Sequence, residues 1–233
     1  MDRSNIALVS FNNSNFKEMA EITWFNNKVE YAKRHGYSTF HCTEKDFCFE
    51  PQYLYYEKYN FILNVFEHHP DIEWIWFTGT DLLITNFTIK LESIIDNNYQ
   101  QILCADVNGI NIDSHLIRNS LISKGLLKWI LTTKEQSVRA WPFEQGAIWA
   151  FYQQNHLSQY IMKVMPQRLM NSYLYGLYGG QYTAPYLDPY TKQDGEYQTG
   201  DFALQLPGVV NDMRLKVFNE IQSSTHEKVK IIK

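Results

Sequence analysis

Trp74, Ile75, Trp76 and Phe77 form an unbroken apolar run that ends at Thr78-Gly79-Thr80. With no polar residue alternating through it, a strand made from this run has no face to give to water. Its aromatic content and terminal turn predict a strand buried on both faces of a parallel sheet. A lone acid, Asp81, follows the turn, ahead of a second short apolar run, Leu82 to Ile84. In open α/β sheets the carboxyl ends of the strands are where ligands bind. A carboxylate there suits a divalent cation that neutralises phosphate oxygens. Asp81 as a cap of the next turn fits the same residues equally well.

The rest of the chain alternates in the manner such a sheet requires. Strands are predicted over 6–11, 37–42, 73–77 and 101–105, with a further extended segment over 111–117. Helical spacing runs over 16–35, through Met19, Ile22, Phe25, Val29 and Ala32, and stops at Gly36. Further helices are expected over 53–68 (closed by Pro70), 91–97, 121–132, 144–152 and 156–163, and a loop over 171–199. Alternation without repeats or low-complexity linkers implies one α/β domain over 1–233 with a mostly parallel sheet.

Charge and cysteine usage exclude several classes. A net charge of −4 with no basic face argues against a nucleic-acid partner, and the one basic stretch, from His226 onward, reads as a solvated terminus. Cys42, Cys48 and Cys104 form no CxxC pair, which suits a reducing compartment. No run approaches the roughly 20 apolar residues of a membrane helix and no signal peptide precedes the first strand, so a soluble, cytoplasmic protein is expected. There is no G-x-G-x-x-G, P-loop, G-x-S-x-G or H-E-x-x-H, and the pair His68-His69 before Pro70 reads as a helix-end interaction. The tyrosines at 173, 175, 178, 182, 186 and 190 can stack on an acceptor sugar or pin a long loop to the core.

A series of short motifs carries a family resemblance. Asn27, Lys28, Tyr31, Ala32, His35 and Gly36 match a helix end of the form N-K-x-x-Y-A-x-x-H-G. Tyr56-Glu57-Lys58 matches an aromatic-x-K helix, and Trp76 through Asp81 a tryptophan-led segment ending in D-x-D. Ile110 to Ser120 resembles N-x-G-x-F-L-I-R-N; Glu144-Gln145 matches an acid-Gln pair, Asn171-Ser172-Tyr173 an N-x-Y, and Asp201, Phe202 and Gly208 a D-F-x-x-H-F-x-G element. In this order over nearly the whole chain, they resemble glycosyltransferase family 34, which includes plant xyloglucan xylosyltransferases and yeast galactosyl- and mannosyltransferases.

The resemblance implies a GT-A fold with a single Rossmann-like domain. It implies a nucleotide-sugar donor across the sheet's carboxyl edge, a glycan or glycoprotein acceptor, and transfer with retention. Donor contacts fall on Ser10, Lys58, Asp81, Asn111 and Arg118. Gln145 and Glu144 take the family's catalytic pair, Gln145 ahead as the amide beneath the anomeric carbon and Glu144 as the nucleophile that a double displacement would need. Read without the family, Lys58 is a solvated helix lysine, Arg118 a structural ion-pair partner and Glu144 a first-turn acid facing the helix dipole.

Several positions depart from the pattern. Gly79 stands where the family has the first D-x-D acid, and Gln205 where it has a metal-binding His. That leaves Asp81 and the amide oxygen of Gln205 as ligands for Mn²⁺ or Mg²⁺, a weaker set, with metal-independent donor binding through Lys and Arg as the alternative. Asp113 replaces the Gly of N-x-G, where it either restores a carboxylate near the site or is a solvated turn residue, the turn being favoured; His115 replaces the following aromatic. An acid restored at 79 is expected to strengthen the site unless Gly79 needs a positive φ, and Lys58 is expected to be partly exposed. Two functions follow: a nucleotide-sugar glycosyltransferase, and a catalytically silent nucleotide- or sugar-binding module that kept the fold.

Overall fold

The computed structural model describes residues 4–137 and 143–230, without the side chains of 224–230, so the basic stretch from His226 onward lies outside the described side chains. Among the described residues eight strands are formed: β1 (Ile6–Asn12), β2 (Ser38–Thr43), β3 (Trp74–Thr78), β4 (Leu82–Ile84), β5 (Gln101–Asp106), β6 (Gly109–Arg118), β7 (Met162–Met165) and β8 (Ala203–Gln205). The helices are α1 (Lys17–Ala20), α2 (Val29–His35), α3 (Glu57–His68), α4 (Leu121–Thr132), α5 (Lys134–Ser137), α6 (Glu144–Gln154), α7 (Ser158–Ile161) and α8 (Asn211–Lys230).

Six strands make the central sheet in the order β2-β1-β3-β6-β5-β7, and β4 pairs with β8 in a small second sheet. β1 is parallel to β2 and β3, and β7 is parallel to β5, while β6 runs antiparallel to both its neighbours. Only β6 is therefore reversed, and the sheet is mostly parallel. All of β3 is buried, as its unbroken apolar run requires. Ile75 and Phe77 enter the core beneath α3, α4 and α6, while Trp74 and Trp76 enter the core on the other face, under α2. β1 splits the same way, Ala7 and Val9 to one side and Ile6 and Leu8 to the other.

The helix expected over 16–35 is continuous but not uniform. Between α1 and α2 the segment Glu21–Lys28 is π-helical, so the Val29 N–H bonds the Trp24 carbonyl five residues back. The wider turn brings Thr23, Asn27 and Lys28 to one face. Gly36 ends α2 in the left-handed region at φ 74°, which accounts for the glycine. Three expectations are corrected. The 91–97 helix is a single 3-10 turn, Leu91–Ser93. The 156–163 helix is four residues long and gives way to β7, whose Met162 packs into the core beside β5. Asp113 lies within β6 and not in a turn.

His41 on β2 stacks on Trp24 at 5.1 Å, and its Nε2 finds no hydrogen-bond partner among the described residues. Burial, reinforced by Lys28 and opposed by Asp46, holds its pKa down at about 4, against an ordinary 6.5. The unfolded chain therefore protonates this ring first, and stability falls as pH drops from 6.5 towards 4. His41→Phe keeps the stacking and removes the proton. Its melting temperature should vary less over that interval than the wild type's; equal variation would exclude this ring as the titrating group.

Candidate active site

β1 has β2 on one side and β3 on the other, so the order of strands reverses there, and ligands in such sheets bind outside the carboxyl ends at that point. A cavity of about 520 Å³ opens at this place. Asn12 and Asn13 from the end of β1 and Gly79 to Asp81 from the end of β3 form its floor. Asp106, Asn111 and Asp113 come from β5 and β6, and Glu144 and Gln145 from the start of α6.

Asp81 and Asp113 lie side by side. One buried amide nitrogen, Gln205 Nε2, donates to Asp81 Oδ1 at 3.1 Å and to Asp113 Oδ2 at 3.4 Å. The Gln205 carbonyl oxygen faces away and accepts from Asn171 Nδ2 at 3.2 Å. Burial and the neighbouring Asp113 charge raise the Asp81 pKa, while Arg214, whose guanidinium nitrogen is 3.7 Å away, opposes the rise. The loop is held from beneath by the π-helical segment. Thr23 donates to the Thr80 carbonyl at 2.7 Å, and Lys28 to the Gly79 carbonyl at 2.7 Å. The Lys28 ammonium is buried, which pulls its pKa down to about 7 despite Asp81 and Asp113.

Lys58 corrects an expectation. It is buried, with Nζ 2.8 Å from Glu144 and 3.4 Å from Asp113, and it lies over the ring of Phe77. Burial alone would lower its pKa, but Glu144, Tyr59 and Asp113 together hold it above the ordinary lysine range. Burial raises the Glu144 pKa against the pull of Lys58. Phe143, just before α6, sits at φ 55°, a conformation costing about 1–3 kcal/mol in a residue with a side chain. Its ring stacks on Tyr55 at 5.1 Å, and the bend presents Glu144 and Gln145 to the cavity.

Of the residues singled out from the sequence, Lys58, Asp81, Asn111, Glu144 and Gln145 line this cavity, and Gln205 stands behind Asp81. Asn111 donates to the Tyr173 hydroxyl at 2.7 Å, which in turn donates to Asp106 at 2.8 Å. Ser10 lies beneath the floor, buried, with its hydroxyl donating to the Thr78 carbonyl, so it ties β1 to β3 and does not face the cavity. Arg118 is not brought here. Because β6 is antiparallel, Arg118 faces Trp74 at the opposite edge of the sheet, where it pairs with Glu73 at 3.0 Å. It is the structural ion-pair partner.

Sequence reading missed Asp106, Lys28 and Arg214. Asp106 carries the same signal as Asp81, an acid closing a buried strand, and burial raises its pKa. Lys28 was legible only as part of a motif, because its role depends on the π-helical register. Arg214 arrives from α8, and nothing near it in sequence marks the contact.

Among the described residues no three His, Cys, Asp or Glu side chains converge as a metal-binding group. The donor chemistry nevertheless fits a hard cation. Two carboxylates face one open cavity, and such cations are commonly held by one or two carboxylates plus substrate phosphates. Asp81 and Asp113 would supply these, with the Gln205 amide oxygen available once the amide turns over.

Removing Lys58 leaves Glu144 buried without its cation. Lys58→Met should therefore lower folding stability by about 3–5 kcal/mol in denaturant unfolding, and Lys58→Met with Glu144→Leu should recover most of the loss. A single variant as stable as wild type would mean that the pair is solvated.

A family model described as the galactosyl transferase GMA12/MNN10 family matches residues 3–104 and 93–213. A Schizosaccharomyces pombe protein named as an uncharacterized α-1,2-galactosyltransferase is 28% identical over 221 residues, covering 78% of this chain and 61% of that protein. The probable α-1,6-mannosyltransferase MNN10 of Saccharomyces cerevisiae is 26% identical over 184 residues, covering 63% of this chain and 46% of its own length. The chain thus spans about half to three-fifths of these relatives. Among solved structures, a glycosyltransferase involved in glycosylation of the major capsid of PBCV-1 superposes with a TM-score of 0.70, at 14% identity over 92% of this chain and 98% of that one. The galactosyltransferase LgtC, crystallised with donor and acceptor sugar analogues, gives 0.55 at 11% identity over 94% and 95%. The fold is that of the GT-A glycosyltransferases, and the chain belongs to the galactosyl transferase GMA12/MNN10 family.

Proposed function

We propose that this chain transfers a sugar from a nucleotide-sugar donor, seated in the cavity at the carboxyl ends of β1 and β3, to a hydroxyl of a glycan or glycoprotein. The observation that carries the reading is the meeting in one cavity of the Asp81–Asp113 pair, the Lys58–Glu144 pair and the amide of Gln145. A diphosphate leaving group needs its growing negative charge stabilised, and fixed positive groups do this with little reorganisation. Lys58 and Arg214 are the cations at hand, both largely buried. A bound Mn²⁺ or Mg²⁺ would neutralise the diphosphate as a Lewis acid.

Retention follows from a front-face displacement. The bond from the anomeric carbon to the diphosphate oxygen breaks, and the acceptor oxygen bonds to the same face. The acceptor proton passes to the departing diphosphate oxygen. Gln145, beneath the sugar, stabilises the cationic ring through its amide oxygen. Glu144 is committed to Lys58 and holds that lysine in place, which favours Gln145 over Glu144 as the group that meets the anomeric carbon. The tyrosines at 178 and 182 edge the cavity, and their rings would stack on an acceptor sugar. No helix among the described residues is long and apolar enough to cross a membrane. A reducing, cytoplasmic setting is supported by three free cysteines, two of them buried.

A mass-spectrometric screen of UDP- and GDP-sugars, with and without Mn²⁺, tests the reading. At least one donor should be hydrolysed or transferred, and proton NMR of the product should show the donor's anomeric configuration. A chain that binds nucleotide and turns over none of the panel is the silent module instead. With an active donor in hand, Gln145→Ala should lower kcat by about 10²-fold while leaving donor affinity nearly intact. Wild-type turnover in that variant would remove Gln145 from the reaction.

A further inference from the structure

Gly79 and Asp113 face one another across the β3–β6 ladder. The last paired residues are Thr78 and Ser114, and one step further the Gly79 N–H bonds the Asp113 carbonyl at 2.7 Å. Facing residues of an antiparallel pair share one side of the sheet. A Cβ added at 79 would lie 3.2 Å from Asp113 Cβ, 3.4 Å from its Cγ and 2.9 Å from Asp81 Oδ1. The start of a side chain on 79 and the Asp113 side chain therefore occupy one space, and that space adjoins the Asp81 carboxylate. The φ of Gly79 lies outside the left-handed region, so crowding by Asp113 and Asp81, and not backbone conformation, opposes a side chain there.

We infer that Asp113 is the second carboxylate of a divalent-cation site, supplied from β6 in place of the acid that Gly79 lacks. The site is thus assembled from the loop after β3 and from strand β6, where a D-x-D would take both acids from one loop. This rests on the donor-binding reading of the cavity. Asp113 is not a solvated turn residue: its backbone is fixed in β6 and its carboxylate meets Lys58 and Gln205. A second observation lies behind the acids. Asn171 is fully buried and its Oδ1 has no hydrogen-bond partner among the described residues. Turning over the amides of Gln205 and Asn171 together keeps the hydrogen bond between them. It replaces the NH₂ that now faces Asp81 and Asp113 with a carbonyl oxygen, a third oxygen ligand of the kind a hard cation takes. The two carboxylates and one amide thus hold a metal-free and a metal-bound arrangement within the same packing. An acid added at 79 while Asp113 remains is crowded by it and adds a like charge, which reverses the expectation that Gly79→Asp strengthens the site.

The test is Mn²⁺ uptake, read from loss of the free-ion EPR signal, with UDP and GDP as the diphosphate probes. Wild type should take up Mn²⁺ with a diphosphate present, and Asp113→Asn and Asp113→Gly should each bind about tenfold more weakly or worse. Gly79→Asp alone should gain nothing and melt lower, whereas Gly79→Asp with Asp113→Gly should return to within about threefold of wild type. Asp113→Asn binding like wild type, or a folded double variant no better than Asp113→Gly, overturns the inference. So does sugar transfer with no Mn²⁺ uptake, which leaves the transferase reading standing. Uptake that depends on Asp113 with no donor turned over does the reverse.

Discussion

Carboxylates that leave water at the carboxyl edge of a sheet must be met by cations from elsewhere in the chain, because an uncompensated charge there costs several kcal/mol. Asp81, Asp113 and Glu144 are met by three such groups. Lys58 comes from α3, Lys28 from the π-helical segment and Arg214 from α8. The placement of those three elements follows from that requirement as much as from apolar packing. The π-helical segment shows this most directly. A regular α-helix would not present Thr23 and Lys28, five residues apart, on the same face, and the loop from Gly79 to Thr80 would lose two of its hydrogen bonds.

The same balance separates what holds the fold from what serves chemistry. Glu144 occupies a position that suggests a nucleophile, yet its carboxylate is engaged by a buried ammonium 2.8 Å away. A carboxylate so paired is a poor attacking group and a good anchor. Gln145, its neighbour, is half-buried on the cavity wall. The strained backbone at Phe143, stacked on Tyr55, is the local cost of aiming both side chains inward.

How much was legible in the sequence depended on whether the cause was local. Trp74 to Phe77 announced a doubly buried strand because burial on both faces leaves a mark in composition, and the mostly parallel sheet followed from the alternation around it. β7 was hidden, since Met162 to Met165 is too short to show a period and owes its conformation to pairing with β5. Arg118 was placed at the donor by motif alone. Only the antiparallel direction of β6 reveals that it lies at the far edge, and that direction is a property of the sheet, not of the residues. Asp113 was misread for the same reason: its opposition to Gly79 is a matter of register, set by strands thirty residues apart. Asp106, in contrast, carried a usable signal, an acid ending a buried strand, and was passed over.

The proposed transferase activity requires a nucleotide-sugar donor to bind at the carboxyl ends of β1 and β3. Hydrogen–deuterium exchange with a non-hydrolysable donor analogue addresses it without mutating any residue. Amides at 11–13, 79–81 and 144–145 should become protected when the donor binds, while those around Glu73 and Arg118 at the opposite edge should not change. Protection at the Glu73–Arg118 edge, with none at the three segments of the cavity, would contradict it.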